Sequence, residues 1–210
     1  MPEIVGLSLT LRTRHNLAIH HLMAAALYAR NVYAAENRHR GEPFGAHFEE
    51  IRWQVMACVM MAVAAVEAHF NERMQDLGVD NDFLKLIERK GILERHDLYL
   101  WFTDRPRLDF GATPTQPFAD LVELRNALVH FHPEWDDDDD LHARLDRRLA
   151  GKFATSPFLE PSAVFFPMRC MSHGCAVWSV RVAREFGDGF AEQIGVEPRF
   201  RACGDRLATE

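Results

Sequence analysis

The sequence from residue 53 to residue 66 is WQVMACVMMAVAAV, and it contains no charged side chain. A helix on the surface of a protein has its apolar residues on one stripe, whereas in this segment they occupy every side. This pattern is typical of a helix that other helices surround. We therefore predict that residues 47–77 form the central helix of a bundle.

Further segments repeat apolar residues at intervals of three and four, and alternating strand patterns are scarce. The spacing predicts an all-α fold, an up-and-down bundle of about five to six helices, as one domain over residues 1–210 with its core at residues 13–194. The other predicted helices are residues 13–39, 83–90, 118–131 and 139–149, and a last long helix from about Met168.

Turn-forming residues set the expected ends of these helices. Asp80 or Asn81 is positioned to cap the helix at residues 83–90. Residues 92–117 contain three prolines and several aromatic residues, so we predict an ordered connection that packs on the bundle. Gly187 and Gly189 are predicted to interrupt the last helix.

Composition fits a soluble protein with a substantial core, because 48% of the 210 residues are hydrophobic and 26% are charged. The longest uncharged run is shorter than the ~20 residues that cross a bilayer, and residues 1–10 lack the features of a secretion signal. We therefore expect a cytoplasmic protein without a membrane span. The net charge is −7, of which −5 lies in the aspartate run at residues 136–140, so bulk attraction to nucleic acid is not assumed.

Possible metal ligands are present, but their spacing is poor. His15, His20 and His21 are not four residues apart, and Cys170 and Cys175 lack a second ligand pair. We expect four reduced thiols, a solvated aspartate run, no metal site and no cofactor. The four cysteines are Cys58, Cys170, Cys175 and Cys203.

The segment DLVELRNALVHFH, at residues 120–132, carries the most informative polar residues. On a helix, its leucines form one side, and Arg125 falls within that apolar arc. A buried arginine without a partner is very costly, so an anionic group is expected beside it. Glu67 is the first charged residue after the uncharged run, and it is our candidate partner.

Asn126 and His130 are four residues apart, so they share the neighbouring polar face of this helix. Histidine can transfer protons near neutral pH, and arginine binds phosphate oxygens through two donors. These residue types suit attack of a ribose 2′-hydroxyl on its own phosphate. The structural alternative is that Arg125 forms an internal ion pair and His130 only ends the helix.

The motif RNALVH, at residues 125–130, matches the RNxxxH signature of the HEPN (higher eukaryote and prokaryote nucleotide-binding) superfamily. The segment AAVEAHFNE, at residues 64–72, also resembles the helix that ends in Glu and Asn in many of these proteins. The resemblance spans roughly residues 18–190, although only the short motif is diagnostic.

This resemblance implies an α-helical bundle, commonly dimeric, in which two motifs meet to form one metal-independent RNA-cutting centre. Arg125 and His130 would be the catalytic pair, and Asn126 would position them. Many relatives act in toxin–antitoxin pairs, phage defence or RNA processing, so the expected partners are RNA, a second copy and an antitoxin or other protein. The chain is longer than the small toxins, which leaves its substrate and biological role open.

Three flanking residues have two possible roles each. Glu67 and Asn71 would either support the active arginine or form a buried pairing that fixes helix register. His132 could bind phosphate or simply follow the helix end. At the level of the whole protein, the alternatives to an endoribonuclease are a non-catalytic HEPN module that binds nucleotide, RNA or protein, and a purely structural bundle.

Overall fold

The computed structural model describes residues 15–133 and 142–210, and this part of the chain is helical without β-strands. The prediction of an all-α bundle is confirmed. Besides its α-helices, the described chain contains a π-helical turn at Phe165–Arg169 and a 3-10 helix at Arg201–Leu207. The α-helices are α1 (Ala18–Arg38), α2 (His47–Asp76), α3 (Asn81–Glu88), α4 (Ile92–Phe102), α5 (Thr115–Val129), α6 (Ala143–Leu149) and α7 (His173–Ile194).

Helix α2 is the centre of the bundle, as predicted, and it packs against α1, α7 and α5. Fourteen of its residues are buried. By length and composition alone it could also cross a bilayer. A buried core helix passes the same test, so this property does not establish a membrane protein.

One face of α2 is not enclosed, which corrects the expectation that helices surround it on every side. Trp53 is 65% exposed, and Met60 and Ala64 on the same face are partly exposed. Residues 53, 60, 64 and 67 differ by seven, four and three positions, so they form one stripe along the helix. This apolar stripe leads to Glu67.

Residues 92–117 are not a helix-free connection, because they contain α4. The helix follows Gly91, whose N–H donates to the Glu94 carboxylate at 3.2 Å. This contact satisfies one of the backbone donors that a helix start leaves open. The buried side of α4 includes Tyr99 and Leu100, which pack with Phe70 of α2 and Phe190 of α7 in a second hydrophobic cluster.

Helix α7 begins at His173, later than predicted, and it continues past Gly187 and Gly189. Ser172 defines its start, because the Ser172 hydroxyl accepts a hydrogen bond from the Cys175 N–H at 3.1 Å. Gly187 is required by close packing: a Cβ there would lie 2.4 Å from the Phe200 ring. Gly187 and Gly189 therefore do not interrupt the helix, and the prediction that they do is wrong.

The remaining boundaries shift by a few residues. Helix α1 starts at Ala18, whose N–H donates to the Asn16 side chain at 2.7 Å. Asp80 caps α3, which is one of the two capping residues that the sequence predicted. Helix α5 starts at Thr115 and ends at Val129, one residue before His130. All four cysteines are buried free thiols, as predicted, and the aspartate run at residues 136–140 lies outside the described residues.

Candidate functional site: an arginine–glutamate cluster beside the helix end

Arg125 on α5 pairs with Glu67 on α2, as the sequence predicts. The Arg125 Nη2 donates to Glu67 Oε1 at 3.2 Å. The Arg125 side chain is 24% exposed and that of Glu67 is 33% exposed. The pair is therefore not sealed inside the core, and solvent or a ligand can reach it.

A second arginine joins this pair, and sequence reasoning missed it. Arg95 on α4 donates from Nη2 to the same Glu67 Oε1, also at 3.2 Å. Two guanidinium groups thus share one carboxylate, and the cluster of Arg95, Glu67 and Arg125 carries one excess positive charge. We call these three residues the arginine cluster.

The arginine cluster has unused hydrogen-bond donors. Within the described residues, the Nε atoms of Arg95 and Arg125 are buried and have no hydrogen-bond partner. Arginine donates through five N–H bonds in a planar fork that matches carboxylate and phosphate oxygens. Because the cluster has an excess positive charge and the Arg125 side chain is partly exposed, a further anion can bind at the edge of that guanidinium.

The other motif residues lie in solvent at the end of α5. Asn126, His130 and His132 are exposed, and the His130 N–H still donates to the Asn126 carbonyl at 2.8 Å. Five residues of helix place His130 about 7.5 Å along the axis from Arg125. His132 is held through its carbonyl, which accepts a hydrogen bond from His142 Nε2 at 3.1 Å.

Asn71 lies one turn beyond Glu67 on α2 and is exposed. The contacts of Glu67 with Arg95 and Arg125 do not involve Asn71. Asn71 instead lines a cavity of about 160 Å³ between α2, α3 and α4. The arginine cluster reaches this cavity, because Arg95 also lines it. The residues around it are Phe70, Asn71, Met74, Gln75, Leu84, Ile87, Glu88 and Arg95.

The protein holds α5 in place through a separate buried carboxylate, Asp120. Asp120 Oδ1 accepts from Arg148 Nε at 2.7 Å, and Oδ2 pairs with Lys152 Nζ at 2.9 Å. Gln116 donates to Oδ2 as well, at 2.5 Å. These contacts tie α5 to α6 and the turn after it, so they fix the helix that carries Arg125 and His130.

Two buried histidines lie close to the arginine cluster in sequence, on α2 and α4. Burial lowers the pKa of His96 to about 3, and its Nδ1–H donates to the Ile92 carbonyl at 2.7 Å. Burial and the nearby Arg73 lower the pKa of His69 to about 4. Both rings are neutral near pH 7, so they add no charge to this side of the bundle.

One group of possible metal ligands occurs in the described residues, and it does not include His15, His20 or His21. His39, Glu42 and His47 place their ligand atoms within 4.8 Å of one another. The two imidazole rings are stacked at 4.4 Å with planes 10° apart, and His39 Nδ1 lies 3.0 Å from Glu42 Oε2. Parallel rings cannot both direct in-plane lone pairs at one ion, so this arrangement is that of a hydrogen-bonded cluster.

Sequence signals could have revealed Arg95. The pair Gly91 and Glu94 marks a helix start, and the pattern after it places Arg95 near buried His96 and Tyr99. The prolines that follow, at residues 106–117, outweighed this signal in our prediction.

Comparison of the chain with protein-family models, with curated proteins and with solved structures found no match in any of the three.

Proposed function

We propose that the chain is a homodimeric, metal-independent endoribonuclease of the HEPN type, acting in the cytoplasm. The observation that carries this proposal is the arginine cluster: Arg95 and Arg125 share one carboxylate and keep unused donors. An excess positive charge that solvent can reach suits a phosphate group. Exposed Asn126 lies on the same helix as Arg125, and exposed His130 follows directly after its end.

The chemistry is an internal transfer of the phosphodiester. The ribose 2′-oxygen attacks the adjacent phosphorus while a histidine takes its proton, and the bond from phosphorus to the 5′-oxygen breaks. A proton from a second acid neutralises the leaving 5′-oxygen, so the products are a 2′,3′-cyclic phosphate and a 5′-hydroxyl. Arg125 stabilises the charge that develops on the phosphorane oxygens. Glu67 orients Arg125, and Asn126 and His132 contact the RNA backbone.

A homodimer would supply the second proton-transfer group, since each chain contributes one His130. The half-exposed stripe of α2 supports this arrangement, because Trp53, Met60 and Ala64 form an apolar surface that leads to Glu67. On α5, Val129 and Phe131 are also exposed on either side of His130. Exposed apolar residues beside a polar site are typical of a protein interface.

The chemical proposal is tested with purified protein, a 5′-labelled single-stranded RNA and EDTA. We expect cleavage in the presence of EDTA, and products that end in 2′,3′-cyclic phosphate and 5′-hydroxyl groups. Products with 5′-phosphate ends, or cleavage that EDTA abolishes, would contradict the proposed reaction.

The dimer is tested by replacing Trp53 with glutamate. Because Trp53 is largely exposed in one chain, we expect Trp53→Glu to fold, to halve the mass measured by light scattering and to lose RNA cleavage. Leu27→Glu is the matched control, since Leu27 is an exposed apolar residue of α1. A wild-type chain that is a monomer while it cleaves RNA would refute the composite site.

A non-catalytic HEPN module is the second candidate, and the arginine cluster supports it equally, because anion binding needs no histidine. Such a module could bind nucleotide, RNA or a partner such as an antitoxin. Binding of RNA that is identical in wild type and His130→Ala, without any cleavage, would favour this candidate.

A further inference from the structure

The cavity between α2, α3 and α4 is open to solvent, and four apolar and four polar side chains line it. Its volume is about 160 Å³. Buried Phe70, Met74 and Ile87 and half-buried Leu84 form the walls. Asn71, Gln75 and Glu88 are exposed at its opening, where they offer amide donors, amide acceptors and a carboxylate.

Arg95 connects this cavity to the proposed catalytic site. It lines the cavity, and its guanidinium lies 5.7 Å from the centre of the Phe70 ring. Arg95 Nη2 and Arg125 Nη2 are each 3.2 Å from Glu67 Oε1, so the two nitrogens are at most twice that distance apart. A phosphate bound by Arg125 would therefore lie next to the cavity.

The size and polarity of the cavity define a class of ligand. A cavity of about 150 Å³ in another protein accepts benzene, so the volume of this one is sufficient for a single six-membered ring. The apolar walls suit the faces of such a ring, and the rim residues can pair with polar groups on its edge. Glu88 accepts hydrogen bonds only, which suits the amino group of cytosine or the ring N–H of uracil.

We propose that this cavity binds an unstacked pyrimidine base of a single-stranded RNA whose phosphate contacts Arg125 and Arg95. The proposal rests on the proposed function for the position of the phosphate. Flipped or unstacked bases are commonly recognised by stacking on apolar side chains and by hydrogen bonds to their edges. Arg95 then contributes to both parts of the site, because it belongs to the arginine cluster that binds the phosphate and also lines the cavity that binds the base.

The test measures binding in the His130→Ala background, so that no probe is cleaved. The probes are twelve-residue oligouridylate, oligocytidylate and oligoadenylate. We expect the two pyrimidine oligonucleotides to bind at least tenfold more tightly than oligoadenylate. Leu84→Trp fills the cavity and should reduce this preference to less than twofold.

Leu86→Trp is the matched control, since Leu86 is an exposed leucine of α3 that does not line the cavity. It should leave the preference unchanged. Asn71→Ala and Gln75→Ala change exposed rim residues, so they test the same cavity if Leu84→Trp fails to fold, and each should lower the preference several-fold.

Equal binding of the three probes, no binding of any probe, or a preference that survives Leu84→Trp in a folded protein would overturn the proposal. A Leu84→Trp variant that alters the mass of the assembly and keeps the base preference would indicate that a second protein chain fills the cavity, which also overturns it. RNA cleavage by the wild-type chain is a separate measurement. Cleavage without base preference removes the pyrimidine site alone, whereas base preference without cleavage removes the nuclease alone.

Discussion

Helix α5 takes part in two clusters in which one carboxylate contacts two cationic side chains, and these carboxylates, Asp120 and Glu67, differ in how completely their hydrogen bonds are satisfied. Asp120 is fully buried, and both of its oxygens are paired, with Arg148, Lys152 and Gln116. Glu67 is partly exposed, and the contacts to Arg95 and Arg125 use a single oxygen.

The difference separates a cluster that holds the fold from one that can bind a ligand. A buried charge is tolerated only when its hydrogen bonds are satisfied, which describes Asp120. The arginine cluster keeps two buried Nε donors without a partner in the described part of the chain. An unsatisfied buried donor costs free energy, so the arginine cluster is less completely compensated than Asp120. An anion at the solvent-exposed edge of the Arg125 guanidinium would compensate the excess positive charge. The following predictions test this contrast, starting from the largest effect.

The largest effect is expected for His130→Ala in RNA cleavage. A positioned acid or base contributes 10²–10⁴-fold, so the rate should fall by about 10³-fold. Because His130 is exposed beyond the end of α5, the free energy of unfolding should change by less than about 0.5 kcal/mol. Cleavage rates and urea unfolding check the two parts.

His20→Ala is the control for this prediction, since His20 is an exposed histidine of α1. It should change neither quantity. If His130→Ala cleaves as fast as His20→Ala, the activity belongs to another site or to a contaminant.

The second prediction compares the carboxylates directly. Asp120→Asn replaces a fully buried carboxylate whose two oxygens are both paired, and it should lower the free energy of unfolding by about 3 kcal/mol even though Arg148 keeps its contact with Glu123. Glu67→Gln should cost about 1 kcal/mol or less, because the Glu67 side chain is one third exposed and its ion pairs are screened by solvent. Urea unfolding of both variants checks the order. A larger loss for Glu67→Gln would reverse our assignment of the two clusters.

The third prediction concerns the loss of folding stability at low pH on the side of the bundle that contains Glu67. Folding lowers the pKa of His69 to about 4 and of His96 to about 3 from 6.5, so the unfolded chain binds protons first. Their contribution to stability is complete well above pH 6.5 and is lost as the pH falls toward the folded values. Each histidine should lower the free energy of unfolding by about 1 kcal/mol when the pH falls from 6.5 to 5.5.

Hydrogen exchange can locate this effect. Amides of α4 should lose protection between pH 6.5 and pH 5.5 before those of α5 around Asp120, after correction for intrinsic exchange. His69→Gln should remove about half of the pH dependence of unfolding, whereas His20→Gln should leave it intact. An unchanged slope in His69→Gln would contradict a neutral, buried His69.

The sequence was sufficient to predict the parts of the fold that depend on local pattern. The apolar run at residues 53–66 predicted the central helix, and Arg125 among leucines predicted an acidic partner that is indeed Glu67. The first inference rests on the absence of a polar face, and the second on the rule that a charge within an apolar pattern must be compensated. The catalytic roles of Arg125 and His130 remain predictions.

Features that depend on distant contacts could not be predicted in this way. A glycine in the sequence indicates a helix break, but Gly187 lies within α7 because the Phe200 ring occupies the space that a larger side chain at residue 187 would need. The half-exposed stripe of α2 is as apolar as its buried face, so the sequence could not distinguish them. Arg95 was missed because the prolines after α4 suggested a connection, and the contact with Glu67 forms only in the folded chain.

The smallest effect is expected for the stability of Arg125→Ala. If Arg125 and Glu67 were sealed in the core, removal of one partner would cost about 3 to 5 kcal/mol. In the folded protein Glu67 keeps Arg95 as a partner and reaches solvent, so the cost should be below about 1 kcal/mol. Arg95→Ala should cost a similar amount, and the double variant should cost more than the sum of the two, because only then does Glu67 lose both partners. Urea unfolding of the three variants gives this coupling directly. Strict additivity would mean that the two arginines do not share the carboxylate, and the excess positive charge that we assign to RNA binding would then lack its structural basis.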